Sequence, residues 1–222
     1  MIQTIIFFTI GPPLFILWYF VKSDKFPEPS HLIFKSFILG IFLCFPAGWL
    51  NYNLITLNEG EVGLSFIAGF TEETLKFLAF LFFIKPKFEF NEPMDAIVYG
   101  TLISLGFATY ENLEYVFVYN EDFSSLSVAL IRSVSAIPLH AACGVIMGYF
   151  LGLYFFKGSN VYLLQALVIP IGIHAFYNYL TDYSILIFFL YLAAVIYYAR
   201  NLHQTVLNAQ ASKLFEPEEK TK

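Results

Sequence analysis

Apolar runs long enough to cross a bilayer recur along the whole chain, separated by short polar connections. One helical crossing takes about 20 mostly apolar residues. On that rule the pattern predicts helices over residues 2–21, 32–52, 62–84, 94–119, 126–156, 161–181 and 184–202. The expected fold is an all-α polytopic transmembrane bundle of about seven helices. It forms a single membrane domain over residues 1–206, followed by a polar tail over 207–222. The connections alternate in charge: Lys22 and Lys25, then Glu59 and Glu61, then Lys85 and Lys87, then Glu121 and Asp122, then Lys157, then Asp182. The tail adds Arg200, Lys213, Lys220 and Lys222. Positive charge concentrates on cytoplasmic connections, so the N-terminus is expected outside and the C-terminus in the cytoplasm. A missed or invented crossing would break this alternation downstream. No Lys or Arg precedes the first apolar run and no small-residue cleavage site follows it, so it is expected to be a retained helix and not a cleaved signal peptide.

Composition sharpens the class. Hydrophobic residues make up 58% of 222 and charged ones only 13%, which excludes an ordinary soluble domain and leaves a multi-pass protein of the cell membrane with the lipid bilayer as its solvent. The net charge of −5, with no basic stripe among aromatics, argues against nucleic acid as a partner. Cys44 and Cys143 lie within apolar segments and read as small core residues.

Against this apolar background the ionisable residues stand out. An intramembrane charge costs at least about 2.5 to 3.5 kcal/mol, so each is a functional candidate by default. The third predicted helix carries Glu72, Glu73 and Lys76, and the fourth carries Asp95, Glu111, Asn112 and Glu114. The fifth carries Arg132 and His140, and the sixth His174 and Asn178. At about 1.5 Å per residue, Glu72, Glu111, His140 and His174 all fall roughly 10 to 21 Å below the expected outer surface. Four helices running in alternate directions thus bring acids and imidazoles to similar depth, as the lining of one wet cavity would require. Small residues at a spacing of four, Gly144, Gly148 and Gly152 below His140 and Gly100, Ser104 and Ala108 on the fourth helix, mark internal faces where helices can approach closely.

The bland roles are also legible. Lys76 shares a face with Glu72 four residues away and reads as a counter-charge for Glu72 or Glu73. Arg132 can pair with Glu111 or Glu114, and Asp95, just after Pro93, can serve as an N-terminal helix charge. His31 and His203 fall at interfaces, where no specific role is expected.

A buried glutamate can act as general base on water, while imidazoles and an amide can shuttle protons and steady an oxyanion. These are the parts of peptide hydrolysis without a covalent intermediate. HExxH, GxSxG and GxGD signatures are all missing. Two His and a Glu could also ligate zinc, but the favoured expectation is no cofactor. Acids and histidines inside a bundle also fit a proton-coupled or metal-coupled transporter, although no internal repeat is visible, and charges that merely hold helices together fit a scaffold.

The ordered motifs "EETLK", "DAIVYGTLISLGFATYEN", "IPLHAACGVIMGY" and "HAFYN", spanning residues 69–178, resemble those of the PrsW family of bacterial membrane proteases. That family lies within the wider group of CAAX prenyl proteases and abortive-infection proteins. The resemblance implies a glutamate-dependent endopeptidase making the first, extracytoplasmic cut in a single-pass membrane anti-sigma factor, leading to sigma-factor release. A CAAX-type prenyl-peptide protease is the variant reading. By the same likeness, Glu72 would be the base on water and His140 would assist it. His174 and Asn178 would stabilise the oxyanion, Glu73 would support or share the base role, and Lys76 would balance charge. On their own residues Asp95, Glu111, Asn112 and Arg132 read as supporting residues.

Overall fold

The computed structural model describes residues 1–55, 64–119, 124–181 and 183–212. They are helical throughout. Helix α1 spans Ile2–Ser23, α2 Ser30–Leu54, α3 Phe66–Ala79, α4 Pro93–Phe117, α5 Ser125–Val134, α6 Ala136–Lys157, α7 Asn160–Leu180 and α8 Ile185–Ala211. A π turn, Phe80–Ile84, prolongs α3. Five rods are long and apolar enough to cross a membrane: α1, α2, α5 with α6 as Ser125–Lys157, α7 and α8. The other two of the seven, α3 and α4, are those that carry the acids.

The predicted fifth helix is broken. Ser135 departs from helical geometry at φ −123°, ψ −75°. Pro138 explains the break, because its ring meets the carbonyl four residues back and it has no N–H to donate. The last helix runs beyond its predicted end, to Ala211. This carries His203 into the interior, with its Nε2 3.1 Å from Ser23 Oγ and its ring against Phe20. The domain limit expected at residue 206 therefore falls inside α8. Residues 213–222 of the expected tail, and the connection charges Glu59, Glu61, Glu121, Asp122 and Asp182, lie outside the described residues.

Helix α4 is the axle of the bundle. Every residue from Pro93 to Thr109 is buried, packed by α1, α2 and α6. The two small-residue stripes read from the sequence face one another: a Cβ on Gly148 would lie 2.2 Å from the Ala96 carbonyl, and one on Gly100 2.8 Å from that of Gly144. Such spacing is open only to glycine, and it lets backbones meet where lipid offers no hydrophobic drive. A second close approach seats α3 on α7, where a Cβ on Gly69 would fall 2.5 Å from Ala175 N. The outside of the bundle is the reverse of a soluble protein's, with Phe15, Trp18, Phe34, Phe42, Trp49, Phe82 and Tyr197 all more than half exposed. These rings face the bilayer.

Candidate active site

Gly69 sets the geometry of the site. With α3 pressed onto α7, the next turn of α3 presents Glu72, Glu73 and Lys76, all buried, against His174. Helix α6 brings His140, so that the two imidazoles meet edge to face at 4.8 Å.

The protons follow from the partners. A carboxylate can only accept, so His174 Nδ1 donates to Glu73 Oε1 at 2.9 Å and leaves Nε2 of the neutral ring with its lone pair. An ammonium can only donate, so His140 Nδ1 accepts from Lys76 Nζ at 3.0 Å, and its Nε2–H donates to Glu111 Oε2 at 3.0 Å. Arg132 closes the chain. Its Nη2 reaches Glu111 Oε2 at 2.6 Å and its Nε donates to Asn112 Oδ1 at 2.9 Å, while its guanidinium lies over Tyr115. Of the two acids open to Arg132 from the sequence, the contact is with Glu111. Asn112 is a tie and not a reactive group, since its amide donates to the Thr9 carbonyl of α1.

The two adjacent glutamates separate cleanly. Glu73, 0% exposed, is the anchor: Lys76 Nζ sits 2.8 Å from its Oε1 but 3.9 Å from Glu72 Oε2. Helix spacing alone put Lys76 on the face of Glu72, but in the fold the long lysine stem swings to Glu73 and lies over the Phe107 ring. Glu72 instead lines a cavity of about 550 Å³ together with Glu111, His140, His174 and Asn178. This cavity runs from the buried cluster past Tyr52, Ile55, Ser65, Tyr119 and Thr181. Those residues stand at one end of the bundle, where α2, α4 and α7 finish and α3 begins. Glu72 Oε2 has no hydrogen-bond partner and lies 3.9 Å from His174 Nε2. An accepting oxygen and an accepting nitrogen at that separation can both receive hydrogens from a single water.

Sequence reasoning missed one residue of this site. Asn51, on α2, donates to Glu72 Oε1 at 3.3 Å and accepts from Thr71 Oγ1. It sits one residue from the expected end of its helix, where no motif or charge marks it. Asn178 donates to the Ser65 carbonyl at 3.1 Å and so pins α7 to the start of α3. Asp95 is not brought to the site. It lies sixteen residues before Glu111 on α4, about 24 Å along the axis, and forms a capping box with Glu92.

The family described as PrsW family intramembrane metalloprotease matches residues 28–200. The chain belongs to the PrsW family. Among relatives of this family, Protease PrsW of Bacillus subtilis is 36% identical over 178 residues, covering 77% of this chain and 79% of that protein. Protease PrsW of Oceanobacillus iheyensis is 34% identical over 180 residues, 77% of this chain and 80% of that one. Protease PrsW of Clostridioides difficile is 32% identical over 180 residues, 76% and 75%. No solved structure matches the chain. As a PrsW protein it is a membrane-embedded peptidase.

The family description names a metalloprotease, where the sequence pointed to metal-free hydrolysis. The residues present fit a metal. Glu72, His140 and His174 each offer a ligand atom within 4.8 Å of the others, and one carboxylate with two imidazoles is a donor set that zinc accepts in catalytic sites. Glu72 Oε2 and His174 Nε2 carry free lone pairs. His140 would join by giving up its hydrogen bond to Glu111 or Lys76. Glu73 behind His174 Nδ1 is the outer carboxylate that orients such an imidazole.

Proposed function

We propose that this chain is an intramembrane endopeptidase that hydrolyses a peptide bond within the cavity, with Glu72 as the acid that handles the attacking water. The observation that carries the reading is the unpartnered Glu72 Oε2 facing His174 Nε2 at 3.9 Å on the cavity wall.

The remaining residues prepare that pair. Glu73 keeps the proton on His174 Nδ1, so Nε2 always faces the cavity as an acceptor. Lys76 offsets the charge of Glu73 and leaves Glu72 free to take a proton from water and pass it to the leaving amine. Asn51 fixes the rotamer of Glu72 through Oε1. Arg132 and Glu111 hold His140 beside His174, from which its Nε2–H can turn to a developing oxyanion, and the second amide hydrogen of Asn178 can do the same. In the metal-bound alternative Glu72, His140 and His174 are the residues that would hold a zinc ion, and Glu72 Oε2 would then bind the ion instead of taking the proton. When bound, it would supply Lewis acidity to the water and the scissile carbonyl.

The substrate we propose is a single-pass membrane anti-sigma factor, cut first on the extracytoplasmic side. The cavity mouth supports this reading, because it lies at the end of the bundle that the charge alternation assigns to the outside. Co-expression with candidate single-pass anti-sigma factors tests it. The wild type should yield a truncated substrate whose new terminus, mapped by mass spectrometry, lies beyond the outer end of the substrate helix. Cleavage that survives both Glu72→Gln and His174→Ala, or a cut on the cytoplasmic side, would overturn the assignment.

A further inference from the structure

A second buried polar cluster lies at the end of the bundle opposite the cavity mouth. Asp24 follows α1, Glu92 precedes α4, Asp95 sits in the first turn of α4, and all three are buried. Each offers an oxygen within 4.8 Å of the others. Glu28 adds a fourth carboxylate, bonded to the Tyr99 hydroxyl. Among the described residues, no lysine, arginine or histidine forms an ion pair with any of the four.

The independent observation comes from α8. Gln210, 2% exposed, aims its amide into the cluster, donating to Asp24 Oδ1 at 2.9 Å and to Glu92 Oε1 at 2.7 Å. Its own carbonyl oxygen has no partner, and neither do Asp24 Oδ2 and Glu92 Oε2. Buried oxygens in native proteins are normally paired, so three unpaired ones on side chains that meet here from three separate segments point to a ligand that accepts lone pairs. The donors are all oxygen. A cation bonding oxygen at about 2.3 to 2.6 Å reaches across such a set, and hard divalent ions prefer it. The imidazole-containing site in the cavity has the opposite preference.

We propose that Asp24, Glu92 and Asp95, completed by the Gln210 carbonyl once its amide turns over, form a structural site for a hard divalent cation of the Mg²⁺ and Ca²⁺ class. The ion fastens the end of α8 to the connection between α1 and α2 and to the start of α4. It is separate from the peptidase centre and does not depend on the function assigned to it.

The test uses the full chain in detergent, carrying Glu72→Gln and His174→Ala so that the cavity cannot contribute metal binding. Unfolding is followed with a thiol-reactive dye, which the buried free thiols of Cys44 and Cys143 make possible. After removal of metal by EDTA and dialysis, added Mg²⁺ or Ca²⁺ should raise the melting temperature saturably. The rise should be roughly 5 to 10 °C at about a hundredfold excess over Kd. Asp24→Asn with Glu92→Gln should abolish the rise. Gln210→Ala, the milder change should the double variant not fold, should weaken the half-saturating concentration about tenfold. The stronger of the two ions identifies the preferred one. Terbium provides a direct probe, since Tyr99 against Glu28 can sensitise its luminescence, and the competing ion should quench the signal. No shift with either ion at millimolar concentration, or an equal shift in the double variant, would overturn the proposal. So would a melting temperature that falls as pH rises towards 8 and ignores both ions, because protons would then be what holds the carboxylates together.

Discussion

The chain buries two clusters of carboxylates, and they differ in how their charge is met. In the middle of the bundle Glu72, Glu73 and Glu111 are set among Lys76, Arg132 and two imidazoles, and almost every polar atom is bonded within the protein. At the end of the bundle Asp24, Glu28, Glu92 and Asp95 have only amides, a phenol and one another among the described residues. The central cluster therefore carries its own counter-charges, and of its two unbonded carboxylate oxygens, Glu72 Oε2 and Glu73 Oε2, the one on the cavity wall belongs to Glu72. The end cluster has no such internal balance, and its stability depends on what is bound to it. A buried charge is costly unless it is paired, so the two clusters separate a reactive site from a ligand-dependent fastening.

This contrast can be broken most sharply at Glu72. Glu72→Gln keeps shape and removes the proton acceptor, so peptide cleavage should fall about a thousandfold or more while the melting curve stays close to wild type. Matched unfolding and cleavage assays on one purified preparation check this. Lys76→Met comes next, and it should cost about 3 to 5 kcal/mol of stability because Glu73 is left buried and unpaired. Adding Glu73→Gln should restore expression but not activity, since a glutamine can offer His174 Nδ1 its NH2 as well as its oxygen and no longer fixes the tautomer. Asn51→Ala loosens Glu72 without unbalancing any charge. Its expected effect is about a 10- to 100-fold loss in kcat with KM little changed, read by steady-state kinetics on a labelled peptide. The smallest effect belongs to the end cluster. Tyr99→Phe removes one hydrogen bond there, worth about 1 kcal/mol, and should lower the melting temperature by roughly 2 to 4 °C with cleavage unaltered. A large loss of activity from Tyr99→Phe would show that the two clusters are coupled across the length of α4.

Much of the central site was legible because helical rise is a local property. Counting residues along each helix was enough to suggest that Glu72, Glu111, His140 and His174 could line one cavity, and spacing by four was enough to mark the stripes of Gly100 and of Gly144 and Gly148 as internal. Pro138 also announced the break at Ser135, yet hydropathy ran through it and masked the signal. Asp95 stood open between a functional charge in the membrane and an N-terminal helix charge, and its capping box with Glu92 is the second of these. The end cluster stayed out of sight because its members are 24, 92, 95 and 210 in a chain of 222 residues, and no local pattern links a loop aspartate to a glutamine in the last turn of α8.

By itself the sequence determined a helical membrane bundle and the family to which it belongs, because bilayer thickness and helix pitch translate directly into residue counts and the motifs stand in order along the helices. The tertiary structure decided which way each side chain faces and what it meets. It turned Lys76 from Glu72 to Glu73, set Glu72 on the cavity wall, supplied Asn51, and drew Gln210 into the acids at the far end. Those outcomes depend on the rotation and close approach of neighbouring helices, fixed by contacts such as Gly69 against Ala175 that join residues about a hundred positions apart.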